Sequence, residues 1–332
     1  MVLREILEKR EYDYLSCYAM KSAESKGRVR PEEKCDIRTE YQRDADRIIH
    51  SKAFRRLMHK TQVFLSPSKD HYRTRLTHTL EVSQIGRAIA RGLCFNENLT
   101  EAIALGHDLG HTPFGHTGEA VLNEICEHGF KHNEQSLRVV DIIERERGLN
   151  LTYEVRDGIL NHTSKGNAET LEGKIIQYAD RIAYINHDVD DAIRAGVLSN
   201  DMLPKEYISV LGSTHSKRIN NMIFNILENS ENTNDIKMSE DFYNAMIGLR
   251  KFMFDNVYLS KNVKKEEDKS KGVVKTLYEY FLNNIDKLPE EYLNMLEKYG
   301  KSRVVCDYIA GMTDGYALKV FSRYFIPSGW SD

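Results

Sequence analysis

Two stretches of strict helical periodicity constrain this chain more than any other feature. Val82, Ile85, Ile89 and Leu93 recur at three- and four-residue steps, while Glu81, Gln84, Arg87 and Arg91 take the other side. Ile175, Ala179, Ile182, Val189, Ile193 and Val197 keep the same rhythm over about six turns. Only 6 prolines interrupt 332 residues, and the period-two alternation of half-buried strands is scarce. An all-α fold follows. The spacing predicts helices over 39–60, 73–94, 98–110, 114–127, 133–147, 152–164, 171–197, 204–229, 239–258, 271–285, 288–299 and 302–325.

Polar runs punctuate this pattern. Residues 1–36 read as an N-terminal arm ending in a polar loop, KSAESKGRVRPEEKCD, and residues 37–200 as a helical core. Residues 201–332 read as a helical extension packed on that core, with surface loops at ENSENTND and SKNVKKEEDKSKG. No apolar run is long enough to span a bilayer, and the charged N-terminus lacks the apolar core of a secretion signal, so no membrane partner is expected. Five scattered cysteines, odd in number and without a CxxC pair, argue against a disulfide framework or structural zinc and fit a reducing cytoplasm. Net charge is −3, but residues 1–75 hold 18 Lys/Arg against 12 Asp/Glu. A basic first quarter in an acidic protein suits a local anionic ligand better than a nucleic-acid coat. A solvated face is the plain alternative.

The chemistry concentrates in histidines. His78 lies in RLTHTLEV, and GHDLGHTPFGHTGE holds His107, Asp108, His111, His116 and Glu119. His132 follows in FKHNEQS, and Asp180 opens DRIAYINHDVDD, with Tyr184, His187, Asp188, Asp190 and Asp191 behind it. Five ionisable groups within thirteen residues, broken by Gly106, Gly110 and Gly115, would weaken a helix that served only packing. Imidazole with carboxylate suits Mn, Fe, Zn, Ni or Mg. Two His and two Asp would neutralise a divalent ion and leave open positions for water and a phosphate oxygen. One metal reading makes HDLGH a variant of the HExxH zinc-protease helix; the short Asp108 and the helix-ending Pro113 oppose it.

The other reading is the H…HD…D pattern. GHDLGHTPFGHTGE, with RTEYQRDADRIIHSKAFRRLMHKTQVF before it and YADRIAYINHDVDDA after it, closely resembles the bacterial deoxyguanosine-triphosphate triphosphohydrolases of the HD-domain class. DYIAGMTDGYA, near the C-terminus, looks familial too. The resemblance is strong over residues 36–200 and looser beyond. It implies an HD-type helical bundle that removes the whole triphosphate from a deoxynucleoside triphosphate. It implies His78, His107, Asp108 and Asp180 as ligands of one divalent ion, with further Mg accompanying the triphosphate. His116 and Glu119 match the family's catalytic His and its acidic partner, and their i, i+3 spacing puts them on one helix face. His132 matches a further active-site His in the related mammalian SAM-and-HD-domain dNTP hydrolase, and His111 and Arg75 match phosphate contacts there. Gln62, Tyr184 and Asp188 match sugar contacts. Homo-oligomers, hexamers among them, and nucleotide effectors also belong to what the resemblance implies.

Beside the resemblance stand readings of the residues themselves. Arg55, Arg56 and Lys60 supply cations on the predicted 39–60 helix, where Arg56 and Lys60 at i, i+4 share a face toward phosphate. Asp180, Tyr184 and Asp188 step along one helix face. Asp190 and Asp191 are expected at solvent, and Tyr41 and His50 beside the entrance helix. His187, His59, His71, His128 and His162 stay unassigned, with His162 in GILNHTSKG the best placed to line a cleft. Competing functions are another HD phosphohydrolase, such as a nucleoside-monophosphate phosphatase, and a nucleotide-binding sensor without catalysis. The extended HTPFGHTGE and YADRIAYINHD segments favour the triphosphohydrolase, and the intact His116 and Glu119 disfavour the sensor.

Overall fold

The fold, seen in a computed structural model, is described over residues 2–62, 73–258 and 261–327. Among the described residues there are 17 α-helices and no strand. The first part of the chain forms α1 (Leu3–Tyr14), α2 (Glu40–Ile49), α3 (Lys52–Arg56), α4 (Arg75–Gly92), α5 (Glu97–Gly106), α6 (Gly115–Ile125), α7 (His132–Arg138), α8 (Tyr153–Asn161) and α9 (Leu171–Arg194). The second part adds α10 (Lys205–Leu211), α11 (His215–Ser230), α12 (Glu240–Met253), α13 (Lys261–Asn283), α14 (Glu290–Leu293), α15 (Leu296–Tyr299), α16 (Lys301–Ala310) and α17 (Asp314–Phe325). None of these helices is long and apolar enough to cross a membrane.

Several expected helices are broken, each for a local reason. The 39–60 segment stops at Ile49 and restarts where the Ser51 hydroxyl accepts from the Phe54 amide; Lys60 then lies in extended backbone. The 204–229 segment breaks at Gly212, whose φ of 118° suits glycine, and restarts on a Thr214 cap. The 302–325 segment turns at Gly311, and Thr313 caps α17. From Lys261 on, the SKNVKKEEDKSKG run is not a loop but the start of α13; Ser260 lies outside the described residues. Lys and Glu are good helix formers, and Lys269 pairs with Glu266 and Lys271 with Asp268 one turn apart. The N-terminal arm holds α1, whose alternating charges hid its periodicity; Arg4 pairs with the buried Glu8.

Apolar side chains form two clusters. The first joins α2, α4, α5, α8 and α9 through Ile48, Val82, Ile89, Ile103, Ile159, Ile175 and Ile182, and extends to α11 and α12 through Met222, Ile226, Met246 and Leu249. Helix α5 runs through its middle, packed by α2, α4, α8 and α9. The second cluster joins Phe114, Val121, Leu122 and Phe130 around α6 to Leu277 and Phe281 of α13, Val304 and Ile309 of α16 and Val320 of α17. In apolar packing α10–α12 go with the first cluster, and α6 goes with α13, α16 and α17 in the second.

The cysteine expectation needs correction. Cys126, at the end of α6, and Cys306, in α16, form a disulfide across 180 residues. No spacing pattern could reveal it, because the tertiary fold alone brings these positions together.

Candidate functional site: a histidine and carboxylate pocket between two packed halves

Three helices and one turn carry the pocket. The hydroxyls of Thr74 and Thr77 form a reciprocal cap that starts α4, placing Arg75 at its first turn and His78 on its buried face. Thr170 caps α9, which brings Asp180 in from the opposite side. His107 is the C-cap of α5, and Asp108 lies in the turn after it. Asp108 therefore sits outside a helix, contrary to the 98–110 expectation. His107 and His111 do not share a helical face, which removes the HExxH reading.

The glycines of this segment are close-approach positions. A Cβ on Gly110 would meet the Ser136 nitrogen at 2.2 Å and the His132 carbonyl oxygen at 2.5 Å, so only glycine lets the turn lie against α7. Phe114 and Gly115 both take left-handed backbone, with φ of 61° and 56°, to launch α6.

Four predicted ligands converge. His78 Nε2 lies 3.1 Å from Asp180 Oδ1 and 3.9 Å from Asp108 Oδ2. His107 Nε2 lies 3.5 Å from Asp108 Oδ1 and 3.9 Å from Asp180 Oδ1. The ligand atoms of His78, His107 and Asp108 lie within 4.8 Å of one another. His107 Nδ1 donates to the Ala104 carbonyl at 2.6 Å, and the buried Nε2 has no hydrogen-bond partner. A buried nitrogen of this kind, aimed at two carboxylates, fits a divalent cation. Burial works against both carboxylates. The imidazoles of His107 and His111 with the Arg75 guanidinium nevertheless hold Asp108 well below the usual range, and His78 and His107 hold Asp180 below it.

A second group adjoins the first. Arg75, fully buried, donates to Asp108 at 2.8 Å and to the Gln62 carbonyl at 3.4 Å. His111 Nε2 is 3.2 Å from Asp108 Oδ1, and its ring stacks on His132 at 4.1 Å. Glu119 Oε1 accepts from the His132 amide and from His132 Nδ1, both at 2.8 Å. Glu119 Oε2 lies 3.5 Å from His116 Nδ1, and the His116 ring is exposed. Burial disfavours charge on His132, but Glu119 outweighs it and raises the imidazole's pKa; His116 and His132 hold Glu119 far below its ordinary value. His162 closes the floor. Its Nδ1 donates to the Ile159 carbonyl, its Nε2 faces His132 Nε2 at 3.2 Å, and burial with its two imidazole neighbours lowers it to about 4.

The remaining predicted residues lie at varying distance from this centre. Gln62 is buried, and its side-chain oxygen has no hydrogen-bond partner. Tyr184, one turn beyond Asp180, lies under the Arg250 guanidinium at 5.5 Å, and burial raises its hydroxyl to about 12. Asp188 is fully buried one turn further on, and burial with Asp191 raises its carboxyl well above normal. Arg56 and Lys60 share no helix face, because α3 ends between them. Arg56 donates to the Gly311 carbonyl at 3.0 Å. The buried Lys60 ammonium is taken up by the His111 and Ala310 carbonyls. Burial and the neighbouring Arg56 and Arg75 lower Lys60 to about 7.

Asp190 and Asp191 face Arg73 rather than solvent, at 3.1 and 2.8 Å. His187 is buried against Glu81 at 2.8 Å. Tyr41 is core, while His50, His59 and His128 are exposed, and Arg55 donates to the His50 carbonyl. His71 lies outside the described residues. Sequence reasoning assigned no role to Asp314, which reaches two of the site's segments.

Comparison with known proteins accounts for this arrangement. The HD domain matches residues 75–185, which span all four converging ligands, and a phosphohydrolase-associated domain matches residues 236–323. A deoxyguanosinetriphosphate triphosphohydrolase-like protein of Caldanaerobacter subterraneus subsp. tengcongensis is 59% identical over 99% of this chain and 98% of its own length. The chain belongs to the deoxyguanosinetriphosphate triphosphohydrolase-like family of HD-domain proteins. A family member from Desulfatibacillum aliphaticivorans is 50% identical over 99% of both chains. The crystal structure of a phosphohydrolase from Bacteroides thetaiotaomicron, 18% identical, shares the fold at a TM-score of 0.53, covering 84% of this chain and 68% of that one. Membership of this HD family makes the chain a phosphohydrolase that uses a divalent metal.

Proposed function

We propose that the protein hydrolyses deoxynucleoside triphosphates to deoxynucleoside and tripolyphosphate, with His78, His107, Asp108 and Asp180 holding one divalent ion. The observation that carries this reading is the bare Nε2 of His107, buried beside two carboxylates and adjacent to the Glu119–His132–His116 group. When bound, the ion supplies Lewis-acid polarisation of a phosphate oxygen and lowers the pKa of a coordinated water.

The chain's residues do the rest. Arg75 and His111 line the same edge of the ligand set and receive phosphate oxygens, with Arg56 and Lys60 as further cations behind them. Water attacks the α-phosphorus, the new P–O bond replaces the P–O5′ bond, and a proton reaches O5′ as the nucleoside leaves. His116 is suited to give that proton. Its Nδ1 faces Glu119 and its ring is exposed, which leaves Nε2 without that partner. His132, made more basic by Glu119, holds a proton beside the attacked phosphate and adds positive charge there. Gln62, Tyr184 and Asp188 receive the sugar, with the ring against Tyr184.

The test is direct. Protein loaded with Mn or Mg is incubated with each dNTP, singly and mixed, and products are separated by chromatography. Deoxynucleoside with tripolyphosphate is expected. Pyrophosphate with a monophosphate, or orthophosphate released only from dNMPs, would overturn the proposal and, in the second case, favour the monophosphatase.

A further inference from the structure

The DYIAGMTDGYA segment has so far no part in the chemistry, yet it touches the site from behind at several points. Asp314 Oδ1 accepts from the Phe114 amide at 3.0 Å. Asp314 Oδ2 accepts from the Thr61 amide at 3.0 Å and from the Thr61 hydroxyl. Phe114 is the left-handed residue from which α6 starts, two positions before His116. Thr61 precedes Gln62 and pairs in an isolated bridge with Thr74, the cap of the helix that carries Arg75 and His78. Nearby, the Ala310 carbonyl takes Lys60, and the buried Asp307 accepts from Gln135 and Arg138 of α7, the helix that His132 opens.

The packing gives these bonds a purpose. His78, His107, Asp108 and Asp180 are mounted on helices of the first apolar cluster or on the turn leaving it, whereas α6, bearing His116 and Glu119, packs in the second. Something must register one half against the other. We propose that Asp314 is a positioning residue that sets His116 and Glu119 against the metal-ligand half, by tying the launch of α6 to the Thr61–Gln62 segment through one carboxylate. Its two oxygens serve one half each. Neither a hydroxyl nor an amide could do the same, because an Asn in its place would turn an NH₂ toward an N–H donor on one side. The inference rests on the hydrolase reading for the role of His116; the tether itself is independent of it.

The experiment separates the two. In Asp314→Asn, hydrogen exchange should accelerate roughly tenfold at the Thr61 and Phe114 segments, as expected for loss of about one buried hydrogen bond, and stay unchanged in α5 and α9. Bound metal, measured by mass spectrometry, should match wild type. Turnover should fall about ten- to a hundredfold through misplacement of His116. The His116→Ala/Asp314→Asn double variant should be no slower than His116→Ala alone, since Asp314 acts through His116. Thr61→Val, which removes the hydroxyl bond to Asp314 and keeps the Thr61 amide bond, should show the same changes in smaller measure and serves if Asp314→Asn does not fold. Unchanged exchange at both segments, or losses that multiply in the double variant, would overturn the proposal. A wild-type protein inert toward every dNTP would sink the hydrolase reading, while the exchange pattern would still decide the tether.

Discussion

Gly110→Ala gives the sharpest test of how the pocket is assembled. The added methyl would meet the Ser136 nitrogen at 2.2 Å, the Gln135 carbonyl carbon at 2.4 Å and the His132 carbonyl oxygen at 2.5 Å, where ordinary contact begins at 3.4 Å. All three atoms are backbone, so no side chain can swing aside. Relief requires the His107–His111 turn and the start of α7 to separate by about 1 Å, the difference between 2.2 and 3.4 Å. That movement stretches the bond from the Gly110 amide to Ser136 Oγ, and with it the bond from Ser136 Oγ to the His107 carbonyl. Overpacking costs about 1–3 kcal/mol. A weakened buried hydrogen bond adds about 1 kcal/mol. A total of about 2–4 kcal/mol should lower the thermal midpoint by roughly 3–6 °C. Turnover should fall further than stability, because His132 moves relative to His111 and His162. Gly272→Ala is the control. Its Cβ meets nothing within 4 Å, it lies inside α13, and it should gain about 0.5–1 kcal/mol. Calorimetric midpoints and dNTP hydrolysis on both variants decide it. A Gly110→Ala protein that melts and turns over like wild type would refute the reasoning.

Other expectations follow from the same geometry. His78→Ala and Asp180→Ala should lose bound metal and activity together, and full metal content in the folded variants would remove them from the ligand set. His116→Ala should keep its metal and lose about 10²–10⁴-fold in turnover, as for a general acid, measured by product chromatography. Glu172 is fully buried; one oxygen accepts from the Met20 and Asn96 amides, the other has no hydrogen-bond partner, and burial raises its carboxyl to about 7. A carboxyl raised in the folded state stabilises below its unfolded value and loses that contribution as pH rises from about 4.5 to 7. Glu172→Gln should therefore raise the midpoint at pH 8 and leave it nearly unchanged at pH 4; the reverse order would contradict the assignment. Reducing the Cys126–Cys306 bond should cost about 2–4 kcal/mol, and Cys126→Ser should melt at the reduced value with or without reductant.

What the sequence revealed divides along physical lines. His78 and Asp180 sit on long amphipathic helices whose apolar faces fix their direction, so their convergence could be read from pattern and motif together. Asp108 and His111 could be placed near each other but not in their turn, because the reason for Gly110 is the backbone of α7 packed against it, and the reason for Gly106 is the Ile48 and Ile159 side chains, neither of which is local in sequence. Arg56 and Lys60 misled because α3 ends at Arg56 and the chain is extended at Lys60. SKNVKKEEDKSKG misled in the other direction, since a polar run with good helix propensity looks like a loop until its apolar continuation is packed. The roles of Asp314 and the disulfide were beyond reach. Thr61 and Asp314 are separated by 253 residues, and nothing local marks either one as a partner of the other.

The division of apolar packing into two clusters has a thermodynamic consequence. Each cluster can open as its own cooperative unit, with its own free energy. Were the Cys126–Cys306 bond reduced, the α6 side would loosen while the helices bearing His78, His107 and Asp180 remain folded. In that regime the protein would still retain its ion and yet be silent, so inactivation would precede metal release. A preparation judged intact by its metal content could thus already be without a proton donor.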